Sequence, residues 1–289
     1  MATESREANF KSFFATATGG FQPYRWQLQI ALDGLPEVLP VPTGLGKTEV
    51  ALAWAWRRFE AREAEPLHLV FCLPMRSLVT QTTERLRKYF EMLRAVRVDV
   101  GVYQLMGGAI DGEWARQPDK PWVLVGTQDQ LLSRALNRGY AMSRFEWPVH
   151  FGLLNNDCHW IIDEVQLMGP GLWTTSQLDW MRRKRFPSLK PCRTTWMSAT
   201  VGTSFLRTTD RAREELGEPS QEHVAFEVKL QDALRDDENL NWWRRAKRPI
   251  EWWRPEGVVR ADTVAEAVVK NHQAGTLSLV IFNTVDIAR

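Results

Sequence analysis

The chain has 289 residues, 44% hydrophobic and 25% charged, the composition of an ordinary globular protein, which excludes disorder and a coiled coil. Its 37 basic and 35 acidic residues leave a formal charge of +2, too small to hold nucleic acid or membrane by bulk charge, so any such contact has to be local. Cys72, Cys158 and Cys192 form no CxxC pair, which argues against a disulfide framework or a zinc site and fits a reducing compartment.

From the N-terminus, Met1 to Phe14 is broken by Glu4, Arg6, Glu7 and Lys11. It lacks the apolar core of a secretory signal, and a cytoplasmic location is expected. No stretch approaches the roughly 18 apolar residues of a membrane span, so no membrane partner is expected. Six short apolar runs then alternate with stretches of helical period: Glu37 to Pro42, Leu67 to Leu73, Val98 to Leu105, Trp122 to Gly126, Trp160 to Val165 and Thr194 to Ser198. That alternation predicts an α/β fold built on a mainly parallel sheet. Lys47 to Glu60 is apolar almost all round and reads as a buried helix. Ser77 to Arg94 sets Val79, Leu86, Phe90 and Leu93 on one stripe and reads as a half-exposed one. Most of the 14 tryptophans are expected to pack in the core.

After Thr200 the chain becomes highly charged, from Arg207 to Asn241, and leads into a Trp-Arg-rich segment, Trp242 to Arg260. A helix is predicted over Thr263 to His272, and a strand over Leu277 to Phe282. The predicted domains are 1–205, a connecting segment 206–260, and 261–289, the start of a second α/β domain.

The sharpest chemical signal is Pro42-Thr43-Gly44-Leu45-Gly46-Lys47-Thr48, set between a predicted strand and a predicted helix. Glycines at Gly44 and Gly46 let the backbone curl so that N–H groups, including that of Thr43, converge on phosphate oxygens at a helix N-terminus. Lys47 would reach the terminal phosphates of ATP, and the Thr48 hydroxyl would ligate Mg²⁺. The general pattern has a further glycine where this chain has Val41. Lys47 lies in a loop and fills no core volume, so its loss is expected to weaken ATP binding and leave the fold intact. Ile161-Ile162-Asp163-Glu164 is an apolar strand ending in two acids. It offers Asp163 to the metal and Glu164 to an attacking water.

Gln27, Gly44-Leu45-Gly46-Lys47-Thr48, Asp163-Glu164-Val165-Gln166 and Ser198-Ala199-Thr200, in that order, resemble the motifs of the superfamily two helicases. The resemblance implies a RecA-like parallel sheet with helices on both faces, and ATP and Mg²⁺ as cofactors. It implies that Gln27 reads the adenine edge, where an amide pairs with N6 and N7. Lys47, Glu164 and Gln166 would be catalytic, and Ser198 and Thr200 would couple hydrolysis to strand movement. Leu105-Met106-Gly107-Gly108, the extended box from Asp163 to Gly171, and Leu279 to Asp286 are similar to the helicase–nuclease of type I CRISPR interference, most nearly subtype G, formerly U. That implies an antiviral role on single-stranded DNA beside a CRISPR effector complex loaded on its target. Gln166 stands where many relatives have histidine, and glutamine hydrogen-bonds but carries no charge.

By the same motifs, Pro74, Arg76, Gly107, Gly108 and Thr127 would contact the nucleic-acid strand. An open glycine backbone or a helix N-terminus presents N–H donors to phosphate, and Arg76 adds a cationic fork. Such contacts follow the backbone and carry no sequence information. Arg182-Arg183-Lys184-Arg185 ends a predicted helix and reads as a solvated helix end. The tracts Trp242-Trp243-Arg244-Arg245 and Trp252-Trp253-Arg254 suit either base stacking or packing between domains. The chain has no His-Asp dipeptide, and its five histidines show no ligand spacing, so no nuclease site is expected in it. Because the sequence stops just past Asn283-Thr284-Val285-Asp286, it is expected to be a fragment that needs a missing helicase and nuclease portion for DNA-stimulated hydrolysis. An RNA helicase and a non-hydrolysing nucleotide-binding docking module remain as alternatives. DNA and RNA share the backbone contacts, and Glu164 speaks against a mere docking module.

Overall fold

The computed structural model describes residues 3–107, 109–110, 112–140, 142–186, 188–199, 203–208, 210, 230–241 and 261–272. The chain divides into two compact units, Met1–Asn241 and Trp242–Arg289. In the second, the described element is one helix, Ala261–Asn271, beginning two residues before the sequence predicts. The Trp-Arg tracts, the run Leu277 to Phe282, the Asn-Thr motif, Gly108 and Thr200 lie outside the described residues.

All six apolar runs form strands. They are β1 (Val38–Pro40), β2 (His68–Leu73), β3 (Gly101–Met106), β5 (Trp122–Thr127), β6 (Cys158–Ile162) and β7 (Arg193–Ser198), and a two-residue strand, β4 (Ala109–Ile110), is added. The order across the sheet is β1-β7-β6-β2-β5-β3-β4. The six predicted strands are mutually parallel, and β4 runs antiparallel to β3 at the edge. Two residues have no period, which is why β4 left no mark in the sequence.

Every residue of β2, β5 and β6 is buried, as expected for parallel strands covered on both sides. Alternate residues define the two faces. Val70, Cys72, Leu124, Trp160, Ile162 and Trp196 share one core with Leu131, Leu154 and Leu178. Those three belong to helices α5 (Gln128–Ala135), α6 (Trp147–Leu154) and α7 (Gly171–Lys184). The intervening Leu69, Phe71, Val123, Val125 and Ile161 are equally buried, and α4 (Arg76–Leu93) packs over β2, β5 and β3 with α1 (Thr3–Thr18) behind it. The stripe Val79, Leu86, Phe90 and Leu93 is the buried face of α4. The 47–60 segment is a 3₁₀ turn at Lys47–Glu49, the wholly buried helix α3 (Val50–Ala55), and a π-helical turn at Trp56–Glu60. Trp26, Trp54, Trp56, Trp114, Trp122, Trp160 and Trp196 are all fully buried, and truncating one to alanine should cost about 3–5 kcal/mol.

Two readings need correction. The apolar run at 160–165 is not all strand: β6 ends at Ile162, and Glu164 (φ 51°) turns the chain into a 3₁₀ turn at Val165–Leu167. The basic end of α7 is not uniformly solvated either. Arg182 is buried, with its guanidinium 4.4 Å from the Trp160 ring centroid and its Nε donating to Asn155 Oδ1 at 2.7 Å.

A buried ion cluster closes the amino-terminal end of the sheet. Glu65 accepts from Arg57 Nε at 2.7 Å, and Arg193 Nη1 and His159 Nδ1 lie 3.3 and 3.6 Å from its second oxygen. Burial alone would raise the Glu65 carboxyl, but His159 and Arg57 hold it down at about 2. Among the described residues no helix is long and apolar enough to cross a membrane.

Candidate functional site

The candidate residues gather at the carboxyl-terminal edge of the sheet, where loops leave parallel strands and α/β proteins place their ligands. In spatial order, β1 delivers the Thr43–Thr48 loop, β7 ends at Ser198, and β6 delivers Asp163 and Glu164. Beyond them β2, β5 and β3 deliver Pro74 and Arg76, Thr127, and Gly107.

The loop's geometry depends on glycine. Gly46 sits at φ 73°, ψ 46° ahead of Lys47, a conformation costly for other residues. A Cβ there would come within 2.6 Å of Gln27 Nε2 and 2.9 Å of Glu49 Oε2. Two consecutive residues of helix α2 (Arg25–Asp33) grip the loop from behind: Trp26 Nε1 donates to Leu45 O at 3.2 Å, and Gln27 Nε2 donates to Gly46 O at 2.9 Å. With those carbonyls held, the N–H groups of Thr43, Gly44, Leu45 and Gly46 have no acceptor among the described residues. Thr43 and Gly44 are exposed and Thr48 is half-buried. Gln27 itself is buried, its Oε1 accepting from Tyr24 N–H at 2.9 Å. Trp26 was not singled out from the sequence, where a tryptophan in a chain with 14 of them carries no distinguishing signal.

Lys47 joins the loop to the acidic box. Its Nζ lies 2.6 Å from Glu164 Oε1 and 3.4 Å from Asp163 Oδ1, with all three side chains largely buried. Burial raises the Asp163 carboxyl, and adjacent Glu164 adds to this against the pull of Lys47. Glu164 feels burial too, but the hydrogen bonds from Lys47 and Gln166 outweigh it and its carboxyl sits below the usual value. Gln166 Nε2 donates to Glu164 Oε2 at 2.6 Å, and its Oε1 accepts from Ser198 Oγ at 2.5 Å. Lys47, Glu164, Gln166 and Ser198 therefore form one hydrogen-bonded chain across three strand ends.

On the other half of the edge, exposed Arg76 donates from Nη2 to Gly107 O. Thr127 is buried at the start of α5 and pairs in register with Leu73, immediately before Pro74. Four of the five proposed strand-contacting residues are thus neighbours, and the fifth is Gly108.

A loop whose N–H groups have no acceptor among the described residues, a lysine set between two acids, and a serine tied to that box form a site suited to an anionic ligand. Over residues 28–208 the sequence matches the DEAD/DEAH box helicase family. The chain belongs to that family. Its sheet is a RecA-like helicase domain. A stretch of 87 residues, 28% of the chain, is 33% identical to the CRISPR-associated endonuclease/helicase Cas3 of Escherichia coli K12, of which it spans 9%. Among solved structures, the chain is similar to the Mycobacterium smegmatis helicase Lhr bound to ssDNA and AMP-PNP, at 20% identity over 67% of this chain and 25% of that one, with TM-score 0.44. It is also similar to S. cerevisiae Dbp5 bound to RNA and ADP BeF3, at 18% identity over 66% of this chain and 44% of that one, with TM-score 0.43. The chain spans less than two thirds of each of these three relatives.

Proposed function

We propose that this helicase-family chain is the ATP- and Mg²⁺-dependent motor part of a single-stranded DNA translocase in type I CRISPR interference, acting with an effector complex loaded on target DNA. The observation that carries the ATPase reading is the Lys47 ammonium held between Asp163 and Glu164. A lysine balancing two carboxylates is ready to exchange them for phosphate oxygens, which offer the same charge at the same edge.

The residues fit the cofactor. The loop has N–H donors without an acceptor among the described residues and a glycine at φ 73°, a conformation costly for other residues, and the Thr48 hydroxyl and buried Asp163 carboxylate are the hard oxygen ligands that Mg²⁺ takes. Bound Mg²⁺ would supply charge neutralisation on the phosphates. Thr43, Gly44 and Gly46 would cradle phosphate through backbone N–H groups, and Gln27 would serve the adenine end. When Lys47 turns to phosphate, Glu164 Oε1 is released to accept a proton from water. Gln166 holds the other Glu164 oxygen and reports its position to Ser198, and through that motif to Thr200. Pro74, Arg76, Gly107, Gly108 and Thr127 would follow a strand's phosphates, which suits a motor that moves on any sequence.

The DNA and CRISPR part of the reading is supported by the 33%-identical stretch shared with the endonuclease/helicase Cas3 and by the resemblances at Leu105 to Gly108 and Asp163 to Gly171. ATP hydrolysis by the full-length gene product, measured with single-stranded DNA and RNA oligonucleotides of matched sequence, tests it. Stimulation by DNA and not by RNA is expected; stimulation by RNA alone would replace this reading with an RNA helicase.

A further inference from the structure

The grip of α2 on the loop raises the question of what fixes α2. Its N-terminus carries the N–H groups that a helix leaves without intrahelical acceptors; the Gln27 side chain closes the turn onto Tyr24 N–H at 2.9 Å, and the Arg25 N–H still needs an acceptor. That acceptor comes from 212 residues downstream: Asp237 Oδ2 accepts from Arg25 N–H at 2.7 Å. The other oxygen, Oδ1, accepts from Asn239 N–H at 2.9 Å and caps the 3₁₀ turn Glu238–Leu240. Asp237 is 1% exposed, and Leu240 beside it is fully buried. One carboxylate therefore ties the charged segment to the first turn of α2. That same turn carries Trp26 and Gln27, which hold the carbonyls of Leu45 and Gly46.

We propose that Asp237 is a positioning residue for nucleotide binding: by capping α2 it holds Trp26 and Gln27 against the Thr43–Thr48 loop. It thereby makes the loop's readiness for phosphate depend on the segment that, five residues later in the chain, begins the second unit. The proposal rests on the reading of that loop as the nucleotide site. The physical chain is short. Loss of a helix cap loosens the first turn, and the two residues on that turn are the ones that turn the loop carbonyls away from the ligand side. A segment pulled during a motor cycle would act on the loop through this bond.

Two substitutions remove the same hydrogen bond from opposite sides. Asp237→Ala deletes the acceptor. Arg25→Pro deletes the donor at the first helical position, where proline is tolerated; the preceding Tyr24, at φ −65° and ψ 157°, already has the backbone that a following proline demands. The readout is the affinity of the 289-residue chain for ADP carrying a ribose-linked N-methylanthraniloyl fluorophore, with Mg²⁺ present and thermal melting checked in parallel. Each variant is expected to bind about fivefold more weakly, the size of a lost cap. Asp237→Asn, which keeps one carbonyl acceptor, should fall in between. Because Asp237 acts through Trp26 and Gln27 together, adding Asp237→Ala to Gln27→Ala should cost clearly less than the fivefold it costs the parent. A lower melting temperature with unchanged affinity in either variant, or losses that multiply in the double variant, would overturn the proposal. If Lys47→Ala also binds normally, the loop is not the nucleotide site and the underlying reading has failed instead.

Discussion

Two buried ion clusters stand at opposite ends of one strand, β6. At its amino-terminal end Glu65 lies within reach of Arg57, His159 and Arg193, while Arg57 Nη1 also donates to the carbonyls of Ala31 and Leu32. At its carboxyl-terminal end Lys47 faces Asp163 and Glu164, beside loop N–H groups that have no acceptor among the described residues. The first cluster is closed around its acid: Arg57, Arg193 and His159 all face Glu65, Arg57 spends a further donor on two carbonyls, and the carboxyl is held at about 2. The second is open, because one lysine is shared by two acids, one pushed up and one pulled down. At one end a single acid thus has several basic partners, and at the other a single lysine serves two acids, so the balance of charge differs between the two ends.

The largest expected effect of separating the clusters is at the closed one. Glu65→Ala leaves Arg57 buried without its acid and should cost about 3–5 kcal/mol in urea unfolding, with no change in the nucleotide affinity of the folded protein. Loss of nucleotide affinity without loss of stability would mean the clusters are not distinct in kind.

Acid should act next. Burial holds neutral His68 and His150 at about 4. Because these folded values lie below the unfolded value of about 6.5, their contribution is complete above pH 6.5 and is lost as pH falls toward 4. The Glu65 contribution is complete above pH 4.5 and is lost toward pH 2. Unfolding free energy should therefore fall by about 2–3 kcal/mol per histidine between pH 7 and pH 4, and His68→Gln should flatten that slope. A pH-independent stability over this window would contradict the burial account.

The open cluster should resist less. Lys47→Ala leaves two neighbouring carboxylates without their cation; at this more open edge the cost in urea unfolding should be smaller than that of Glu65→Ala, and smaller again toward acid, where proton uptake relieves the pair. The sequence alone, in which Lys47 is a loop residue, implies no such cost. The smallest effect belongs to Arg76, exposed and bonded to Gly107 O. Arg76→Ala should weaken single-strand binding about equally for all sequences and lower the salt slope by about one. A loss confined to certain sequences would mean base contact.

The sequence showed the elements that speak locally. The six apolar runs, the stripe on α4, the glycine loop and the acidic pair each announce themselves within a few residues, and the family's motif order binds the last two together. What it concealed is made by strand order. Arg57, Glu65, His159 and Arg193 are scattered over 137 positions and meet only because β7, β6 and β2 are neighbours. Asp237 meets Arg25 across 212 positions for the same kind of reason. Arg182 stands four residues after Leu178 and seven after Thr175, on the buried face of α7, a period that the run of four basic residues obscures in the sequence.

The proposed exchange of Lys47 from Asp163 and Glu164 to phosphate is open to direct measurement. Calorimetric titration of the chain and of folded Lys47→Ala with Mg²⁺ and a non-hydrolysable ATP analogue tests it directly. Saturable binding by the parent and at least about hundredfold weaker binding by the variant, a loss of about 2.7 kcal/mol, is the result predicted; equal affinity for the two would contradict it.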